Sequence, residues 1–189
     1  MSSTRNTVIR SMHDLGLAAW FGGSLMGAIG LNGATRNTVA PQDDLAVAAS
    51  GWARWSPVAA AAIGTHVIGG AGLILANRGR VVAQQGAGAN TAVKTVLTVA
   101  AMASTAYSGV LGAHLASEND NTPVESATVP GDRTPNRIAR SQQQLRVLQW
   151  VTPALTGILI VLGAQQGEQQ KPTELAKGVT AKALGLARR

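Results

Sequence analysis

Charged side chains are spaced along this chain so that four long stretches carry none. Histidine aside, no acid or base lies between Asp14 and Arg36, Arg54 and Arg78, Lys94 and Glu118, or Arg146 and Glu168. These gaps contain 21, 23, 23 and 21 residues. A helix rises about 1.5 Å per residue and a bilayer core is about 30 Å thick, so each gap is long enough to cross a membrane once. The sequence therefore predicts an all-α fold, a four-helix transmembrane bundle.

The predicted spans consist largely of alanine and glycine, so the mean hydropathy of +0.12 is low for a membrane protein. A soluble alanine-rich helical bundle is the alternative. Its helices would need a charged or strongly polar outer face, and these stretches have none. We expect one membrane-embedded unit over residues 1–168, with a retained first span at 12–33 and further spans at 56–77, 95–116 and 147–164. A basic tail follows over 169–189.

Lysine and arginine are distributed unevenly between the two predicted sides of the membrane. The side with both termini carries ten and the other side carries six, so the positive-inside rule predicts that both termini are cytoplasmic. Trp52, Trp55 and Trp150 would then lie at the outer boundary, where amphipathic rings accumulate. Arginine outnumbers lysine by 12 to 4, which together with the alanine and glycine content is typical of a high-GC bacterium. We therefore expect a multi-pass protein of a bacterial plasma membrane.

Two polar segments flank the last predicted span. The connection before it, between Glu118 and Pro135, is rich in carboxylates and prolines, which predicts a mobile outer loop. Helical spacing of apolar residues resumes at Asn136, so the last helix should begin above the membrane. In the tail, Thr173 can cap a short basic amphipathic helix that would contact anionic lipid headgroups on the inner leaflet. A disordered basic tail is the alternative.

Small residues recur every four positions in the predicted spans. Little hydrophobic force acts between helices in lipid, so close approach through small residues is a main source of packing energy. The positions that we assign to helix packing are Gly23, Gly27, Gly64, Ser104, Ser108 and Gly112. The spacing leaves open whether these faces join helices of one chain or of different chains.

Histidine is the residue type in this chain best suited to ligate haem or a metal, or to relay protons. With span centres near Leu25, His66 and Ala106, His66 lies at the midplane, and His13 and His114 lie about 18 Å and 12 Å from it on opposite sides. Two axial haem ligands must lie at similar depth. The spacing therefore disfavours a bis-histidine haem unless two copies of His66 meet, and it leaves His13 and His66 as separate metal-ligand candidates.

A polar cluster is predicted around His66, because an imidazole at the midplane needs a partner. By the same depth count, Ser104, Tyr107, Ser108 and Thr156 lie at its level. The cluster can be structural, fixing helix register, or it can form a proton, metal or small-substrate site in the bundle core. His66 and Tyr107 are the cofactor-binding candidates.

The first span resembles that of the copper-resistance-D and related membrane families. The resemblance rests on His13-Asp14-Leu15-Gly16 and on Trp20-Phe21-Gly22-Gly23. The layout of the whole chain is similar to that of four-span actinobacterial membrane proteins of unknown function. The copper-family resemblance implies His13, with Met12 or Met26, as the positions where copper would bind.

The remaining patterns favour a role without catalysis. The chain has no cysteine, and no phosphate-binding loop, zinc-protease helix or nucleophile elbow is recognisable. We expect no enzyme activity, no resident cofactor and no nucleic-acid binding, and we expect an accessory or scaffold subunit that packs on other membrane-protein subunits or on copies of itself. One alternative is a haem or copper-binding protein. Another is a small-solute transporter or channel with a core lined by Thr65, His66, Ser104 and Ser108.

Overall fold

Four long helices dominate the computed structural model, which describes residues 6–37, 43–79, 87–117 and 124–168. They are α1 (Thr7–Met26), α2 (Asp44–Ala76), α3 (Ala87–Ser117) and α4 (Asn136–Glu168). α1 continues through a π-helical turn (Gly27–Leu31), an α-helical turn (Asn32–Ala34) and a 3-10 turn (Thr35–Asn37). Within the described residues, four helical segments are long and apolar enough to cross a membrane. The predicted all-α, four-helix transmembrane fold is confirmed.

The helices extend beyond the predicted spans. α2 begins at Asp44 and α4 at Asn136, so Arg54 and Arg146 lie inside helices rather than at their ends. The stretches without charged residues mark only the uncharged part of each helix. The backbone hydrogen bonds of the helix continue beyond them. The prediction that the last helix begins at Asn136 is confirmed.

The bundle consists of two helical pairs. α1 packs along α2, and α3 packs along α4, with α1 also contacting α4. α1 and α2 run antiparallel, since Ile9 faces Gly72 at one end of the pair and Leu31 faces Gly51 at the other. α2 and α3 contact each other much less, so the flank between them is the loosely packed side of the bundle.

Glycine sets the spacing between α1 and α2. A Cβ atom added to Gly16 would lie 2.5 Å from the carbonyl oxygen of Ala62, and one added to Gly69 would lie 2.5 Å from the backbone nitrogen of His13. Both neighbours are backbone atoms, which cannot move without separating the helices. Close approach of these two helices therefore depends on two glycines that the four-residue spacing did not single out.

The positions predicted to pack helices divide into three pairs. Gly23 and Gly27 lie against the indole rings of Trp55 and Trp52, where a Cβ atom would overlap the ring. Ser104 is buried and Ser108 is half-buried. A Cβ atom on Gly64 or on Gly112 would meet nothing within 4 Å, so neither glycine brings two helices of this chain close together.

A small β-hairpin covers one end of the bundle, which we call the hairpin end. Strands β1 (Val124–Ser126) and β2 (Val129–Pro130) pair in antiparallel orientation. Val124 is buried in a cluster with Leu45, Leu115 and Ile138, close to the helix ends. The prediction of a mobile outer loop is therefore wrong for residues 124–135, because this apolar anchor and buried polar contacts hold the segment down.

Two polar side chains attach the hairpin to the helices. The Thr35 hydroxyl accepts a hydrogen bond from the backbone N–H of Ala127 at 2.9 Å. The amide of Gln142, on the first turns of α4, donates to the carbonyl oxygen of Ser126 at 2.9 Å. Residues 118–123, and the tail over 169–189 with its predicted helix, lie outside the described residues.

Candidate functional site

His13 of α1 and His66 of α2 form a reciprocal pair. Nδ1 of His13 lies 2.9 Å from the carbonyl oxygen of His66, and Nδ1 of His66 lies 2.9 Å from the carbonyl oxygen of His13. A carbonyl oxygen can only accept, so each Nδ1 carries a proton and donates it to the partner's backbone. The two rings stack with centroids 4.0 Å apart and planes inclined by 18°. Each imidazole thus satisfies a backbone group of the other helix.

The prediction that His13 and His66 lie at different depths is wrong. It placed the span centres at Leu25 and His66. The helical segments actually run from Thr7 to Ala34 and from Asp44 to Ala76, so both histidines lie roughly 10 Å from the middle of their helices, towards the same end, at 1.5 Å per residue. The error arose because uncharged gaps were used as helix bounds.

The pair does not fit a haem held between its two rings. Axial ligands point their ring nitrogens at the iron from opposite faces of the macrocycle, whereas these rings meet face to face at 4.0 Å. With each Nδ1 donating to a carbonyl, Nε2 is the nitrogen that a metal would have to use. In the four described ranges, no three histidine, aspartate or glutamate side chains gather closely enough to hold a metal ion. Met26 lies about 20 Å further along α1 from His13.

The polar cluster predicted around His66 is divided between different contacts. Ser104 of α3 and Thr152 of α4 share a hydrogen bond of 2.9 Å, and the Thr156 hydroxyl donates to the Thr152 carbonyl oxygen at 2.8 Å. The Tyr107 hydroxyl donates to Gln144 on the exposed surface. Tyr107 and Thr156 thus have hydrogen-bond partners other than His66, and the partner that the structure gives His66 is His13.

Trp20 separates the histidine pair from the other half of the bundle. Its ring is 1% exposed and meets the edge of His66 with centroids 6.3 Å apart. The indole N–H donates to the hydroxyl of Thr105 at 3.1 Å, which joins α1 to α3 across the bundle. Leu17 and Leu159 pack in the same buried cluster. These three side chains form the core of the half of the bundle that contains the histidines.

On the other side of Trp20, towards the hairpin end, the helices enclose a cavity of about 470 Å³. All four helices contribute to its wall, as does the turn of the hairpin. The apolar part of the wall is dominated by three indole rings and many alanines. The polar residues of the wall are Ser24, Asn32, Ser56, Thr105, Ser108, Thr128, Gln149 and Thr152. No acidic or basic residue is among the described residues that line it.

The cavity exists because large rings stand beside very small residues. Gly27 and Gly23 leave room for the rings of Trp52 and Trp55, which cross from α2 to α1. Opposite them, α3 contributes Gly109 and Gly112, which have no side chains to fill the space between the helices. The result is an apolar space inside a bundle whose four helices are long and apolar enough to span a bilayer.

An amide pair lies at the hairpin end of the cavity. The π-helical turn closes wider hydrogen-bonded rings than an α-helix, so it shifts the residues that follow it relative to the register of α1. Asn32, the next residue, is buried and donates to the side chain of Gln149 on α4 at 3.0 Å. Its oxygen accepts the indole N–H of Trp52 at 2.9 Å. Three elements are thereby joined at one level.

The cavity opens sideways, through the flank between α2 and α3. Its wall on this side includes Ala53, Gly109 and Ala113, which are themselves exposed. The hairpin residues Ala127 and Thr128, both buried, cover the end. A molecule dissolved in a surrounding bilayer would therefore reach the cavity without crossing the hairpin.

Sequence reasoning missed this cavity and its polar end. One signal was available, since Trp52 and Trp55 occur on a helix opposite two glycines spaced four apart in α1. The roles of Asn32, Gln149 and Thr128 left no comparable pattern, because their proximity depends on the π-helical turn and on the hairpin.

Comparison of this chain with protein-family models, with curated proteins and with solved structures finds no match in any of the three.

Proposed function

We propose that this chain is a non-enzymatic integral membrane protein that binds an apolar molecule in the cavity between its helices. The observation that carries the proposal is the cavity of about 470 Å³ with apolar walls and few polar groups. Ligand sites of proteins typically have volumes of about 300–1,000 Å³ and this kind of lining. The open flank between α2 and α3 lets the ligand come from the bilayer.

The indole rings in the wall support binding of an apolar molecule and also provide the measurement. Trp20, Trp52 and Trp55 line the cavity, whereas Trp150 is 49% exposed and lies outside it. In the variant Trp150→Phe, every remaining indole therefore belongs to the cavity wall. A brominated long-chain alcohol added to this variant in mild detergent should quench the fluorescence saturably.

Two neighbouring alanines of α2 give a matched pair of variants. Ala59 is buried and lines the cavity, whereas Ala60 is exposed and does not. Ala59→Phe should fill the space and abolish saturable quenching, and Ala60→Phe should leave it unchanged. Quenching that rises linearly with the brominated alcohol and is equal in both variants would refute the proposal.

An accessory or scaffold role is a second candidate, which an open glycine favours. Gly64 on α2 faces no atom of the chain within 4 Å, and small-residue faces attract other helices in lipid. In gentle detergent the protein should then purify as part of a larger assembly. Gly64→Leu should reduce the mass of that assembly by light scattering. A monomeric wild-type protein would contradict this role.

A further inference from the structure

The wall of the cavity is uncharged, and its hairpin end has unused hydrogen-bonding capacity. We propose that the ligand is a neutral amphiphile, with a hydroxyl or carbonyl head against Thr128 at the hairpin end and an apolar chain reaching towards Trp20. This inference rests on the proposed function and adds to it the chemical class of the ligand and its orientation.

The ligand is neutral because the wall offers no partner for a charge. The described residues that line the cavity include no aspartate, glutamate, lysine, arginine or histidine. An ion brought into an apolar cavity without a counter-charge carries a large desolvation penalty. Fatty acids in their ionised form and phospholipid headgroups therefore do not suit this cavity, whereas alcohols, ketones, quinones and acylglycerols do.

The head lies at the hairpin end because a hydroxyl without a partner lines the cavity there. Thr128 is 4% exposed, and its side chain makes no hydrogen bond with any part of the chain that the structure describes. Its hydroxyl is therefore available to pair with a ligand oxygen in the cavity.

The rest of the wall leaves few other positions for the head. Thr105 and Thr152 bond to residues of the bundle, and Ser24 donates to the carbonyl oxygen of Phe21. Ser108 makes no hydrogen bond with the described residues, but it lies one helical turn from Thr105 and so away from the hairpin end. The amides of Asn32 and Gln149, which each use one N–H in a hydrogen bond, have a second N–H near the hairpin end.

The other end of the cavity suits a chain. Trp20 forms its floor, and the hydrogen bond of its indole to Thr105 is already made. Ala59 continues the wall in apolar atoms.

Four probes with the same chain length test the inference by displacement of the brominated alcohol from Trp150→Phe. They are tetradecane, tetradecanol, a tetradecanone and tetradecanoate at a pH where it is ionised. The alcohol and the ketone should compete roughly threefold to tenfold more strongly than the alkane, which corresponds to about one net hydrogen bond. The ionised acid should compete least.

Side-chain variants locate the head. Thr128→Val should reduce the preference for the alcohol over the alkane and leave alkane competition unchanged. Thr65→Val is the matched control, because Thr65 bonds to the carbonyl oxygen of Ala61 and does not line the cavity. If Thr128→Val does not fold, Thr128→Ala, which removes the same hydroxyl, carries the same test.

The outcomes separate this inference from the proposed function. Saturable competition by all four probes with equal strength, or a preference for the alcohol that survives loss of the Thr128 hydroxyl, would overturn the neutral amphiphile and leave an apolar site in place. Preference for the ionised acid would overturn it as well. Absence of saturable binding by any probe would overturn the proposed function itself.

Discussion

Replacing Gly16 by alanine places one methyl group where α1 meets the backbone of α2. The added Cβ atom would lie 2.5 Å from the carbonyl oxygen of Ala62 and 2.6 Å from the backbone nitrogen of His66. Carbon and backbone atoms do not approach so closely, so the helices must separate locally. That separation also stretches the two hydrogen bonds between His13 and His66, which lie at the same level.

The expected loss of stability can be estimated from three contributions. Overpacking a well-packed contact costs about 1–3 kcal/mol, and each interhelical hydrogen bond in a membrane contributes about 0.6 kcal/mol. Alanine is favoured over glycine inside a helix by about 1 kcal/mol. The net result for Gly16→Ala is a decrease of roughly 1–3 kcal/mol in the free energy of unfolding.

Gly22, on the same helix, is the matched control. A Cβ atom there would meet nothing within 4 Å, so Gly22→Ala should be neutral or stabilising by up to about 1 kcal/mol. The assay is reversible unfolding in mixed micelles with increasing dodecyl sulfate, followed by tryptophan fluorescence. Equal midpoints for the two variants would refute the argument that glycine permits the approach of α1 to α2.

Three further predictions concern other contacts of the bundle. His13→Ala and His66→Ala should each lower the free energy of unfolding by about 0.6 kcal/mol in the same assay, since each removes one side-chain donor to the backbone of the other helix, and an unchanged midpoint in both variants would contradict the reciprocal pair. Gln142→Leu should speed hydrogen exchange of residues 124–130, since the Gln142 amide donates to the hairpin backbone, whereas Gln144→Leu on the exposed face should not; equal exchange in the two variants would argue against this role. Trp20→Phe should lower the free energy of unfolding by about 1 kcal/mol through loss of the indole hydrogen bond, and an unchanged midpoint would show that this bond contributes nothing net.

The contacts of α1 explain why the two halves of the bundle differ. In one half, Gly16 lets α1 approach the α2 backbone, and the histidine pair and Trp20 fill the interior. In the other half, Gly23 and Gly27 receive indole rings instead of backbone. Rings hold the helices apart, and the cavity occupies the space that results. Glycine thus has opposite consequences for packing at two levels of one helix.

The spacing of charges was sufficient to predict four spanning helices. Whether a segment resides in lipid depends on its own side chains, because an ionised group in hydrocarbon is costly wherever the neighbouring helices lie. The start of α4 at Asn136 was also readable, since apolar residues recur there at helical spacing. These properties are local, and a single sequence contains them.

The pairing of His13 with His66, the cavity and the ordered hairpin were decided by tertiary structure. Depth in the bundle depends on where helices begin and end, and α2 begins at Asp44, well before the uncharged stretch. The hairpin is held by Thr35 and Gln142, which are distant from each other in sequence. A cavity is the difference between the space that facing helices enclose and the volume of the side chains that point into it. No single helix contains that difference, so only the assembled bundle could reveal it.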